Sequence, residues 1–286
     1  MRLCSLVLAA CLAFVGCQQD ADTAAPMVRP TVTLARGDVA LGSPVEMTYR
    51  FVVASGAQFN KDYWVFVHFV DVDREIMWTD DHQPDIPTRQ WKPGQTIEYT
   101  RTMFIPKFPY TGETRVEVGL FSPSDGDRVP MEGTNEGQRS YRLATFNLRN
   151  QAESVFVVFK EGWQETEVSS EGLGAEWQWS RKEGVLAFRN PQRDSTFYLL
   201  VDQPVMAVGT QRVQVRLAEA VVDSFDLPPG GRQLRKVALT RAQFGSAEST
   251  EITVVVEKTF VPAAIPELKS TDARELGVRV FRAYLQ

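Results

Sequence analysis

Apolar side chains in this sequence recur mostly at every second position, and hardly any stretch sustains a helical period, which is the pattern of half-buried strands. Val45, Met47, Tyr49 and Phe51, separated by Glu46, Thr48 and Arg50, give the clearest run. In the first half the pattern predicts strands over 32–35, 45–53, 63–70, 96–104, 115–121 and 141–148. Gly42-Ser43-Pro44, Lys92-Pro93-Gly94 and Ser124-Asp125-Gly126 mark turns between them. Six or seven short strands in about 120 residues fit a two-sheet sandwich of the immunoglobulin kind, here without a disulfide. The polar run Arg149, Asn150, Gln151, Ala152 and Glu153 is the expected domain boundary. Beyond it, strands are predicted over 155–159, 176–179, 185–188, 196–201, 211–217, 235–239, 252–256 and 278–284. Long loops carry Pro228-Pro229-Gly230-Gly231 and the stretch 261–274. This half reads as a second sandwich, of the jelly-roll type, and no internal repeat relates the two.

The N-terminus has a different pattern. Arg2 precedes a continuous apolar run over 3–15 that ends at Gly16-Cys17, and the run is too short to span a bilayer as a helix. Phe14-Val15-Gly16-Cys17 resembles the lipobox of bacterial lipoproteins, whose cysteine is acylated and becomes the first mature residue, although Phe14 stands where leucine is usual. Leu8-Ala9-Ala10-Cys11 is the closer tetrapeptide match. Cleavage there would leave an apolar segment of only about seven residues and strand Leu12 to Val15 on the mature protein. Cys17 is therefore the expected lipidation site. The expected organisation is a signal peptide over 1–16, lipidated Cys17 with a flexible tether over 17–27, an immunoglobulin-like sandwich over 28–149 and a second sandwich over 150–286.

All three cysteines (Cys4, Cys11 and Cys17) fall in or at the end of this signal, so no disulfide can staple the mature chain. Its stability must come from a large core, which a chain of 286 residues with 43% hydrophobic content can supply. Acyl chains contribute about 0.8 kcal/mol per buried methylene, so several of them make a lasting anchor. Gln18, rather than aspartate, follows the cysteine, which resembles the signal for delivery to the outer membrane. The polar tether reaches about 30 Å when extended and keeps the folded part close to the envelope membrane, on its periplasmic or surface face. A net charge of -5 argues against nucleic acid as a partner and against electrostatic adhesion to anionic lipid.

Both histidines lie in the first half, among carboxylates. His68, Asp71, Asp80, Asp81 and His82 offer the imidazole and carboxylate donors that suit zinc or manganese, although their spacing matches no metal signature. A metal-dependent hydrolase built on them competes with a structural reading. His68 shares a strand face with Trp64, Phe66 and Val70, as a core histidine would, and Asp80-Asp81-His82 ahead of Pro84 forms a self-capped turn.

The same region carries a resemblance. Asp62-Tyr63, Val65-Phe66-Val67-His68, Asp80-Asp81-His82-Gln83-Pro84, Pro87-Thr88, Trp91-Lys92-Pro93-Gly94, Val118-Gly119-Leu120-Phe121-Ser122-Pro123 and Gly126-Asp127-Arg128-Val129-Pro130 are similar to an extracytoplasmic immunoglobulin-like domain. That domain is attached to bacterial polytopic glycosyltransferase-like membrane proteins and to some lipoproteins. The resemblance covers roughly 38–148 and implies a β-sandwich in an envelope setting, with no catalytic residues to carry over. This chain departs from it in having no transmembrane catalytic portion.

In the second half, Gly162-Trp163, Glu167, Trp177 and Trp179, Phe188-Arg189-Asn190-Pro191, Phe260-Val261-Pro262 and the run from Asp272 to Val280 resemble galactose-binding-like sandwich domains, over about 156–285. The resemblance implies a glycan as ligand. Trp177 and Trp179 share one strand face and could stack on sugar rings, with Trp163 nearby and Glu167, Asn190, Arg274 or Glu275 bonding hydroxyls. Packing of these tryptophans in the core competes with that platform, as does an ion-pair network of Asp272, Arg274 and Glu275 that fixes the last loop. The chain beyond the signal has no thiol nucleophile, no Gly-x-Ser-x-Gly elbow, no phosphate-cradling loop and no paired zinc motif. The expectation is therefore an all-β, non-catalytic binding module of the cell envelope, needing no cofactor. Its preferred ligand is a glycan, or it takes part in envelope polysaccharide assembly, and a protein-interaction scaffold is the alternative.

Overall fold

The computed structural model of the chain describes residues 22–151, 157–169 and 175–286. The apolar signal, Cys4, Cys11, Cys17 and the first residues of the tether lie outside the described residues, as does Val155. Among the described residues no helix is long and apolar enough to cross a membrane. The architecture is almost entirely β, in sheets that form sandwiches. Two compact units are present. One contains residues 22–37, 46–102 and 112–147; the other contains 38–45, 103–111 and the described residues from 148 to 286.

The first nine strands are β1 (Val28–Leu34), β2 (Asp38–Ala40), β3 (Pro44–Val53), β4 (Trp64–Val70), β5 (Ile76–Thr79), β6 (Thr96–Phe104), β7 (Gly112–Phe121), β8 (Thr134–Gly137) and β9 (Ser140–Arg149). Strands β1, β3 and β6 form a three-stranded sheet, and a six-stranded sheet runs β2-β9-β7-β4-β5 with β8 paired to β9. The alternation read from the sequence is the alternation of burial: Met47, Tyr49 and Phe51 are fully enclosed, while Glu46, Thr48 and Arg50 between them are only partly covered. From the six-stranded sheet, Val65, Val67, Phe69, Val116, Val118 and Leu120 bury on the inner face. Each such side chain contributes about 1.5–3 kcal/mol of transfer free energy, and together they replace the missing disulfide.

The remaining strands are β10 (Val157–Phe159), β11 (Glu167–Val168), β12 (Glu176–Trp179), β13 (Glu183–Arg189), β14 (Ser195–Asp202), β15 (Gln211–Leu217), β16 (Ala220–Leu227), β17 (Arg232–Leu239), β18 (Ser249–Val256) and β19 (Arg279–Leu285). They form two five-stranded sheets, ordered β10-β13-β18-β15-β16 and β11-β12-β19-β14-β17. Leu186, Phe188, Phe197, Leu199, Val213, Val215, Ile252, Val254 and Val280 supply their common core. A smaller apolar cluster of Trp179, Phe260 and Leu276 sits beside it, with Trp177, Val205, Val208 and Ile265 packed against it. That cluster holds the long 261–274 loop.

Candidate functional site

In the second unit the register sets Glu167 on β11 directly opposite Trp177 on β12. The Trp177 indole N–H donates to Glu167 Oε2 at 3.1 Å, and the other oxygen of the carboxylate accepts from Arg274 Nη2 at 2.8 Å. Arg274 also donates to Asp272, the shortest of these bonds being 2.6 Å. The Asp272 carboxyl is held below the usual carboxylate range by hydrogen bonds from Arg274. Trp177, Glu167, Arg274 and Asp272 thus form one connected chain of charge-assisted hydrogen bonds joining the β11-β12 hairpin to the loop before β19.

A second row crosses the same sheet. Trp179 is register-paired with Arg279, Arg279 with Asp202, and Asp202 with Arg232, on four adjacent strands. Arg279 grips Asp202 with two parallel bonds of 2.8 Å, and both side chains are largely buried. The Arg279 guanidinium lies 4.9 Å from the Trp177 ring centroid, 5.7 Å from that of Trp179 and 5.3 Å from that of Phe281. Trp177 and Trp179 therefore do share a face, and one guanidinium serves both. Trp179 is buried at 7% exposure, edge-on to Phe260 at 5.7 Å, so it belongs to the core. Trp177 is half-buried.

The other sequence candidates do not join this group. Trp163 donates its indole N–H to the Val185 carbonyl and packs edge-on against Phe159, and its ring lies so close over Gly184 that a Cβ there would be 2.5 Å away. Asn190 is buried, and its amide donates to the carbonyls of Phe244, Gly245 and Ala247, which pins a loop. Glu275 is exposed and accepts from Thr259 Oγ1 at 2.6 Å. Sequence reasoning missed Asp202 and Arg279 as partners. A bidentate pair between residues 77 positions apart depends on strand order, which composition does not reveal.

The metal-site alternative in the first unit is overturned by strand parity. His82 exchanges backbone hydrogen bonds of 2.8 and 2.9 Å with Val65, so its side chain joins Val65 on the buried face, whereas His68, three residues along β4, points to the other face. The His82 ring is consumed in the core. Nδ1 donates to the Asp80 carbonyl, which leaves Nε2 to accept from the Tyr99 hydroxyl, each at 2.8 Å. Burial lowers the His82 pKa, in keeping with this neutral tautomer. The carboxylates are engaged separately: Asp71 accepts from the backbone of Asp73 and Glu75, Asp80 pairs with Arg101 at 3.2 Å, and Asp81 accepts from Val67 N–H at 3.0 Å. Among the described residues no three His, Cys, Asp or Glu side chains are arranged to hold a metal. His68, Asp71, Asp80, Asp81 and His82 thus do not converge on one metal-binding group among the described residues.

No protein-family model and no curated protein matches the sequence. Among solved structures, the CBM36-1 domain of a multidomain xylanase from the hindgut metagenome of Trinervitermes trinervoides is similar at 11% identity and a TM-score of 0.27, over 46% of this chain and 94% of that one. The C-terminal CBM6 of the laminarinase LamC from Zobellia galactanivorans is similar at 11% identity and a TM-score of 0.27, over 46% and 98%. The alkylpurine DNA glycosylase AlkC of Pseudomonas fluorescens is similar at 15% identity and a TM-score of 0.29, over 43% of this chain and only 31% of its own length. At these levels neither activity nor ligand transfers to this chain.

Proposed function

We propose that this protein is a lipid-anchored, non-catalytic binding module of the bacterial cell envelope whose ligand is a glycan. The observation that carries the reading is the state of Trp177. Its half-buried indole, on the strand next to the edge strand β11, is fixed by Glu167, which Arg274 fixes in turn, and Arg279 lies over the ring. An immobilised aromatic ring with acidic and basic groups around it loses little entropy on meeting a sugar, stacking on the C–H face while its neighbours bond hydroxyls. Trp179 supports this ring from the core rather than doubling the platform. The resemblance of the two halves to envelope and galactose-binding-like domains points the same way. Acylation of Cys17 would hold the module at the membrane.

The test is a glycan array followed by calorimetry on the purified full chain. Trp177→Ala is expected to weaken binding of any captured saccharide by about tenfold or more, measured at a temperature where a melt shows the variant folded. An array with no captured saccharide, or a Trp177→Ala variant that binds as well as the parent, overturns the reading.

A further inference from the structure

Within the first unit, strands β4, β7 and β9 and the β8 segment carry a cleft of about 340 Å³ lined by His68, Arg74, Glu117, Arg128, Glu136 and Ser140. Its construction starts at a residue with no side chain. Gly119 is register-paired with Phe66, and a Cβ there would lie 2.2 Å from the Phe66 ring, so the ring lies flat across β7. Arg128 covers that ring at 4.5 Å and donates to the Gln138 carbonyl, while His68 packs 4.8 Å from Phe66 on the other side. His68 is register-paired with Glu117 and lines the cleft beside it.

Glu117 is the anomaly. It is only 8% exposed, and its Oε2 accepts from Ser140 Oγ at 2.7 Å. Glu136, by comparison, is paired with both Arg142 and Arg74. Glu117 also lines the cleft, and among the described residues Ser140 is the donor found on its carboxylate and no cation pairs with it. A largely buried carboxylate with one hydroxyl donor keeps acceptor capacity for a further donor arriving from the cleft. The surroundings select that donor. Among the described residues no three metal-ligating side chains are grouped, so a metal ion is ill served, whereas a protonated amine can donate to the Glu117 carboxylate and the His68 imidazole beside it. The guanidinium of Arg128 then faces an acceptor on the same ligand.

We propose that this cleft binds a small molecule carrying a primary ammonium next to an oxygen acceptor, the pairing shared by amino sugars and amino acids. The volume suits one such unit. The site is separate from Trp177 and does not depend on the glycan reading. Calorimetry on the purified full chain with glucosamine, glucose, N-acetylglucosamine and alanine tests it. Glucosamine or alanine is expected to bind, and which of them does identifies the source; glucose and N-acetylglucosamine, which lack the ammonium, are expected not to bind. Glu117→Gln is expected to lower the affinity by about tenfold or more, and Trp177→Ala to leave it unchanged. In the unaltered protein, where folding of a variant is not at issue, the ammonium probe that binds is expected to shift the NMR signals of the His68 imidazole. Failure of both ammonium probes, binding of glucose as tight as glucosamine, or unmoved His68 signals overturns the proposal.

Discussion

Phe66 and Gly119 illustrate how much a single position decides. A Cβ at residue 119 would meet the Phe66 ring at 2.2 Å and the Arg139 carbonyl at 2.7 Å, and neither the ring nor the backbone can yield. Gly119→Ala is expected to cost about 1–3 kcal/mol by overpacking, read as a lower midpoint in urea, and to displace the Arg128 guanidinium stacked on the ring. The sequence shows Gly119 as an interruption in a good strand, and it cannot reveal which ring needs the gap. The same limit applies to Trp177 and Trp179. Their spacing correctly puts them on one face, yet one is core and the other half-exposed, because the cover over Trp179 comes from Phe260 and Leu276, about 80 and 100 residues away in sequence.

At the level of elements, the strands with a clear apolar alternation or an aromatic run were the legible ones. The strand predicted over 96–104 is β6, and those over 176–179 and 211–217 are β12 and β15. The strands that sequence reading missed are short or lie at sheet edges. β2, β5 and β16 end their sheets, β8 and β11 pair on one side only, and such strands bury too little to print a clear alternation. The loop over 261–274 shows the complementary case. It has no periodic pattern, and it is tied down by Arg274 and by the Phe260–Leu276 bridge. Arg274→Ala is expected to lower global stability by less than about 1 kcal/mol, because the guanidinium is 40% exposed and its ion pairs are solvent-screened. Its visible effect is expected to be local: faster amide exchange across the loop and altered Trp177 fluorescence, as Glu167 loses the partner that orients it. Unchanged exchange in the loop would mean that the apolar cluster alone holds it.

For the whole molecule, the two histidines set a pH dependence of stability. Burial is the leading cause that lowers the pKa of both His68 and His82. Around His82, Asp80 and Asp81 oppose that shift and Arg101 reinforces it, while Tyr49 and Tyr99 enclose the ring. Since the unfolded chain takes up these protons at a higher pH than the folded one, their contribution is complete above the unfolded histidine value of about 6.5. It is lost as pH falls toward the depressed folded values. The urea midpoint is expected to drop between pH 7.5 and pH 5, and His82→Gln, which cannot titrate, is expected to flatten that drop. A variant as acid-sensitive as the parent would remove His82 from the account. The proposed anchor is tested separately: palmitate labelling in a bacterial host is expected for the unaltered chain and lost in Cys17→Ala, and labelling that persists would point to Cys11.

The sequence by itself determined the all-β class, the turns and most of the strands, because period-two burial is a local property written into every strand with one dry face. It also confined all cysteines to the first 17 residues, and so required a core without disulfides. Only the tertiary structure decided which of the special residues meet. Strand order and register are set by packing between distant segments, so they separated His68 from His82, joined Glu167, Trp177 and Arg274, and buried Glu117 beside His68.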